Sequence, residues 1–178
     1  QIEFNPAKVK GYRLIGYENR ILAAEDFNDD TKDAGEIGAG HNVTALYEII
    51  PAEAKVEVEA ADVDDLKYQK PPELTDAADS DELLTLKLRF KQPDGEKSSL
   101  ISFPIEDDTK RFGEASGDFQ FAAAVASFGM LLRGSKYSGD ATYDAVREIA
   151  TSSLGDDEWG YRKEFVDLVI KAKELAKQ

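Results

Sequence analysis

The spacing of apolar residues changes period once along this chain, near residue 106, and that single change limits the folds open to it. Before that point apolar side chains recur at every second position; after it they recur at helical spacing. One switch from strands to helices is the pattern of an α+β domain. A chain of alternating βαβ units would change period repeatedly. The reading is one domain over 1–178, with 1–106 mainly β and 107–178 mainly α. The strands would form an antiparallel, β-sandwich-like sheet region, followed by about three C-terminal helices.

Within the first part, QIEFNP is strand-like, and Val9–Tyr17 carries Gly11 and Gly16, which suits a bent or bulged strand. Val43–Ile50 places Val43, Ala45, Tyr47 and Ile49 on one face, yet Leu46 and Ile50 on the other. Apolar residues on both faces predict a central strand, ended by Pro51. Lys55–Glu59 alternates Val56 and Val58 against Glu57 and Glu59, as an edge strand would. Residues 61–82, with several aspartates and Pro71-Pro72, read as a loop. A hairpin follows, in which Leu84, Leu86, Leu88 and Phe90 share a face. Pro93-Asp94-Gly95 turns the chain and Leu100–Ile105 returns. So few strands leave sheet edges unpaired.

The second part opens with a helix from about Phe119 to Arg133, capped by Ser116 or Asp118 and stopped by Gly134. It is apolar nearly all round, which predicts burial between other elements. Asp140 can cap a second helix with Tyr143, Val146, Ile149 and Ala150 facing inward. A third, from about Asp157 to Ala176, sets Phe165, Leu168, Val169, Ala172 and Leu175 on one face. Its early acids and later lysines complement the helix dipole.

Charge narrows the partners. With 36 acidic and 22 basic side chains the net charge is −14, which repels nucleic acid and anionic membranes and favours a basic protein face or cations. Cysteine is absent, so disulfides and thiolate chemistry are excluded. No run reaches the ~18 apolar residues of a membrane span. The chain does not begin with Met and opens on a strand-like segment, so it reads as a fragment, with any targeting signal outside it.

The residues between Tyr12 and Tyr47 concentrate the candidate chemistry. Asp26, Asn28 and Asp30 have the alternating spacing of Ca²⁺ ligands. The EF-hand template then requires glycine and glutamate where Thr31 and Ile37 stand. An Asx-rich turn, its carboxylates accepting from nearby backbone N–H groups, is the favoured reading. Gly35, Gly38 and Gly40 miss the dinucleotide-binding spacing and precede a strand, so they read as a turn with positive φ. His41 is the only histidine and no G-x-S-x-G accompanies it; it reads as a turn residue. Asp76, Asp79, Asp81 and Glu82 read as a solvated acidic run. Tyr12, Tyr17 and Trp159 are candidate anchors for a partner, although aromatics at such positions more often pack inward. The sequon Asn42-Val43-Thr44 is discounted because Val43 is expected to begin a buried strand.

These same residues, in order, resemble a family. Val9–Arg20, Glu25–Asp30, Asp33–Gly40 and Val43–Glu48 carry the likeness, as do Leu88–Pro93, Phe121–Ala126, Leu132–Ser135 and Gly160–Phe165. Together they resemble the C-terminal region of bacterial von Willebrand factor type A domain proteins, the YfbK-like family. The resemblance implies an uncharacterised domain following a type A domain, outside the cytoplasm in the cell envelope. The D-x-S-x-S cation motif of type A domains does not occur here, and Asp79-Ser80-Asp81 does not replace it. The expectation is therefore a non-enzymatic accessory or protein-interaction domain without a cofactor. Its partners would be the type A domain and an envelope protein, with neither nucleic acid nor membrane insertion. Tyr12, Tyr17, Glu18, Arg20 and His41 are the candidate contact residues, and an unpaired sheet edge offers a route to a dimer. The alternatives are a small-ligand or Ca²⁺-binding module using the acidic 25–40 loop, and an enzyme working with two carboxylates in one cleft.

Overall fold

The computed structural model describes residues 1–17, 21–32, 35, 38–55 and 73–176. Strands come first and helices last, an α+β chain, in two compact units, Gln1–Asp108 and Thr109–Gln178. Val56 and Val58, and residues 61–72 of the acidic loop, lie outside the described residues.

In the first unit the described strands are β1 (Ile2–Phe4), β2 (Val9–Ile15), β3 (Leu46–Pro51), β4 (Glu82–Phe90) and β5 (Ser99–Glu106). They form two antiparallel sheets, β1-β4-β5 and β2-β3. β4 and β5 make the hairpin legible in the sequence, its turn closed by the Gly95 N–H donating to the Gln92 carbonyl at 2.8 Å. β2 carries a bulge between Val9 and Gly11, as the glycine predicted. The turn from β1 into β2 is organised by Asn5. Its amide nitrogen Nδ2 donates to the carbonyls of Ala78 and Glu82 at 3.0 and 2.9 Å, while its Oδ1 accepts from the Ala7 N–H at 3.0 Å.

Two expectations for β3 are corrected. It begins at Leu46 rather than Val43, and Val43 is 82% exposed. The partner strand explains this: β2 ends at Ile15, opposite Leu46, and the chain leaves at Gly16 (φ 78°) and Tyr17 (φ 59°). Among the described residues, 43–45 therefore have no strand to face. Nor is β3 central, since β2 is its one partner among the described residues. Leu46, Tyr47, Ile49 and Ile50 are half-buried on the two faces of a two-stranded ribbon.

The second unit holds α1 (Gly117–Leu132), α2 (Tyr143–Ser152) and α3 (Tyr161–Leu175). Ala124, Val146, Ala150 and Val169 form the buried core. Phe165 meets Phe121 and Phe128 edge-on, at 5.3 and 5.4 Å between ring centroids. The Ser116 hydroxyl caps α1 by accepting from the Phe119 N–H at 3.2 Å. Gly134 (φ 58°) closes it, with the Ser135 N–H donating to the Met130 carbonyl at 3.0 Å. Thr142, not Asp140, caps α2, accepting from the Ala145 N–H at 3.1 Å. The positive φ of Gly139 and a bond from the Ala141 N–H to the Ser138 carbonyl keep residues 138–141 in a turn, two residues before the helix.

Burial differs from the sequence pattern on two helices. α1 buries only Ala124 and Met130 fully, while Phe119, Val125 and Leu132 are exposed. Within this unit, α2 and α3 cover one side of it. On α3 the inward stripe is Phe165, Val166 and Val169, whereas Leu168 and Leu175 are half-exposed or more. At 3.6 residues per turn, replacing Leu168 by Val166 in the stripe turns its centre by roughly 50°, half the step between successive residues.

α3 starts at Tyr161, and Asp157 lies ahead of it as a cap. Its carboxylate accepts from the backbone N–H groups of Arg162 and Lys163, at 3.0 and 2.9 Å. These bonds hold the Asp157 carboxyl below the ordinary aspartate range, led by the one from Arg162. A depressed folded value means the folded state binds fewer protons, so this stabilisation is full above the ordinary range and fades as pH falls through the folded value. Asp157→Ala should accordingly unfold more easily than the native chain in urea at neutral pH. The gap between the two curves should narrow as the pH falls through and below the ordinary aspartate range.

Candidate functional site

The acidic segment that invites a metal reading is a clamp on the end of the β4–β5 hairpin. Asp26 sits in a single 3₁₀ turn (Ala24–Asn28) and pairs with Lys32 at 3.4 Å. Asp29 forms an Asx turn, its Oδ1 accepting from the Thr31 N–H at 2.9 Å and the Thr31 hydroxyl at 2.7 Å. Asp30 reaches across to Ser98, accepting from its hydroxyl at 2.5 Å and its N–H at 3.3 Å. Lys91 Nζ donates to the Asp30 carbonyl at 2.5 Å. Arg89 completes the clamp, its guanidinium donating to the Ser98 hydroxyl at 3.1 Å and lying 5.6 Å from the centre of the Phe27 ring.

These bonds favour the ionised form and hold the Asp29 and Asp30 carboxyls below the ordinary aspartate range. The Thr31 hydroxyl leads the effect at Asp29 and the Ser98 hydroxyl leads it at Asp30. The three candidate ligands are thus directed differently: Asp26 to Lys32, Asp30 to Ser98, and Asn28 to solvent. Among the described residues, no three His, Cys, Asp or Glu side chains gather where a metal ion could sit. Ile37, at the template's last position, lies outside the described residues, as do Asp33 and Glu36.

The other candidates are scattered. His41 is exposed and closes a turn, its N–H donating to the Gly38 carbonyl at 3.2 Å. Its ring lies close to where a Cβ on residue 38 would be, 2.2 Å from Nδ1, so a side chain there would require the exposed His41 ring to turn aside. Gly35 and Gly40 take the positive φ expected of them; Gly38 does not. Tyr12 is largely exposed, but its ring stacks on Phe4 at 4.3 Å. Tyr17 is half exposed, and Glu18 and Arg20 lie outside the described residues. Asp76, Asp79 and Asp81 are exposed, Asp81 pairing with Lys8 at 3.2 Å, while Glu82 enters β4. The sequon is exposed at all three positions, so the burial ground for discounting it does not hold.

A surface that the sequence did not single out is the apolar face of the β1-β4-β5 sheet. Register places Ile2 and Phe4, then Leu84, Leu86 and Leu88, then Ile105, Phe103 and Ile101 side by side on one face. Glu3, Thr85, Lys87, Ser102 and Pro104 occupy the other. Phe4 is covered by contacts with Tyr12 and Tyr47. The β5 side lies open, with Leu88, Ile101, Phe103 and Ile105 each over 40% exposed. Alternation from Ser99 to Glu106 was the available signal. Its exposure was not legible, because exposure depends on what covers the face.

Residues 1–175 match the family model described as Uncharacterized protein YfbK, C-terminal. The chain belongs to the YfbK C-terminal family. The Uncharacterized protein YfbK of Escherichia coli (strain K12) is 41% identical over 169 residues, which cover 95% of this chain. The match spans only 28% of that relative's length. No solved structure matches the chain. The YfbK match runs through both units, from β1 to α3, so the sheet face and the helical core belong to the family's region alike. Among the described residues, no helix is long and apolar enough to cross a membrane.

Proposed function

We propose that this chain is a non-catalytic accessory domain that docks other protein through the open half of its β1-β4-β5 sheet. The observation that carries this reading is the run of exposed apolar residues Leu88, Ile101, Phe103 and Ile105 on one sheet face. A contiguous apolar patch in so highly charged a chain is favourable only when something covers it. The occupant we assign is the type A domain of the same polypeptide. That assignment is supported by the resemblance and by a relative in which this region is 28% of the length. The setting that goes with it is the cell envelope.

The face suits this role better than the edge of β5. Pro104 lies within β5, and proline in an edge strand turns its donor-less nitrogen outward. A second copy adding strand to strand there would meet a gap in the hydrogen-bond ladder. Hydrogen exchange tests the proposal in the longer protein that the resemblance implies. Amides of 84–88, 99–103 and 105–106 should exchange about tenfold more slowly there than in the 1–178 chain alone, and Phe103→Glu should remove the difference. Equal exchange in both, with the 1–178 chain monomeric, would sink it. Protection that rises instead with the concentration of the 1–178 chain would assign the face to a dimer.

A further inference from the structure

The loop between α2 and α3, Leu154–Gly160, is held from behind and presents its outer side groups unused. Three positive-φ residues, Gly155 (60°), Asp157 (37°) and Gly160 (74°), fold it tightly. The Asp157 carboxylate is spent on the α3 amides, and its carbonyl accepts from the Gly160 N–H at 2.8 Å. Arg162 braces the loop by donating to the Ser153 carbonyl at 2.9 Å and to Asp118, with its guanidinium 4.8 Å from the centre of the Phe121 ring. What remains is outward. Trp159 is 75% exposed and Tyr161 71% exposed, and both line an open depression of about 490 Å³ together with Asp156, Glu158 and the Asp118–Arg162 ion pair, in which the one cation is already matched by a carboxylate.

A rigid loop that exposes the chain's only tryptophan beside a tyrosine has the make-up of a binding anchor, since these are the side chains that dominate protein contacts. The charge around them chooses the partner. Asp156 and Glu158 are exposed, and the amides at the start of α3 that would attract an anion are already taken by Asp157. Aromatic faces flanked by carboxylates favour a cation, through the ring quadrupole and through opposite charge. The long-range field has the same sign, because the chain carries −14 overall.

We infer that the Trp159–Tyr161 depression takes an arginine or lysine side chain of a basic peptide segment from a partner protein. This inference extends the interaction reading to a second surface, on the helical unit, and does not depend on what covers the sheet.

Because Trp159 is the only tryptophan, its fluorescence reports this site directly. The probe is an N-acetylated, C-amidated Gly-Arg-Gly-Arg-Gly peptide, with Gly-Gln-Gly-Gln-Gly as control, titrated into the 1–178 chain at low salt. The expected result is a saturable change with the arginine peptide only. It should weaken about tenfold in Asp156→Asn/Glu158→Gln and also on raising the salt. Calorimetry on Trp159→Ala, whose circular dichroism should match the native chain, should show the heat of binding lost. Arginine and glutamine peptides acting alike, or no response at millimolar peptide, would overturn the inference. Phe103→Glu should leave this titration intact, so failure of the sheet reading and failure of this one are separable.

Discussion

Phe165→Ala should lower the unfolding free energy by about 3 kcal/mol, the largest single effect expected in the helical unit. Phe165 projects from α3 between Phe121 and Phe128 of α1, edge-on to both, beside the fully buried Val169 and Ala124. Truncation removes the transfer energy of a ring and two aromatic contacts, and leaves a cavity whose walls are rings held on a single helix. Those walls can close only if α1 itself shifts. Phe165→Leu, which fills part of the space, should lose about half as much. Urea denaturation followed by far-ultraviolet circular dichroism measures both. A loss under ~1 kcal/mol for the alanine variant would show that the three rings are not a core.

That prediction rests on an element whose packing was half legible. The helical period put Phe165, Val169 and Ala172 on one face, and the turn chemistry at Ser116 and Gly134 bounded α1 within two residues. Which apolar residues end up exposed was not legible. Leu168 and Phe165 are both apolar, and the positions of α1 and α2 decide between them. The same limit governs the sheets. Alternation marks a strand's two faces, but partner count is non-local, so β3 read as central when it has one neighbour among the described residues.

The candidate site shows the limit from the other side. Spacing alone offered Asp26, Asn28 and Asp30 as ligands, because a list of oxygens does not say where they point. Asp29 satisfied a local rule, the Asx turn with Thr31 two residues on, and was readable as such. Asp30 was not, since its partner Ser98 is 68 residues away. A carboxylate bonded across that distance is a fastener between loop and hairpin, and the contacts of Arg89, Lys91 and Phe27 reinforce it.

Asn5→Ala should cost about 2–3 kcal/mol, the largest effect expected from a polar change in the first unit. The one signal for this residue was its place before Pro6, a pair that favours a turn. In the structure its side chain makes three bonds at once: to the carbonyls of Ala78 and Glu82, and from the N–H of Ala7. Its backbone joins in, with the N–H donating to the Leu83 carbonyl and the carbonyl accepting from Lys8 and Val9. One residue thus ties the end of β1 to the start of β2 and to the approach into β4. Alanine keeps the backbone bonds but strands two part-buried carbonyls, each costing about 1 kcal/mol or somewhat more, and gives the exposed Ala7 amide back to water. Aspartate in place of Asn5 would be no better, because a carboxylate would face two carbonyl oxygens with no proton to give. Asn5→Asp should therefore match or exceed the loss from alanine at neutral pH, and recover part of it in acid as the carboxyl regains a donor. Denaturation of the three proteins at two pH values decides the point: if aspartate is tolerated at neutral pH, the two side-chain bonds to Ala78 and Glu82 contribute nothing to the fold.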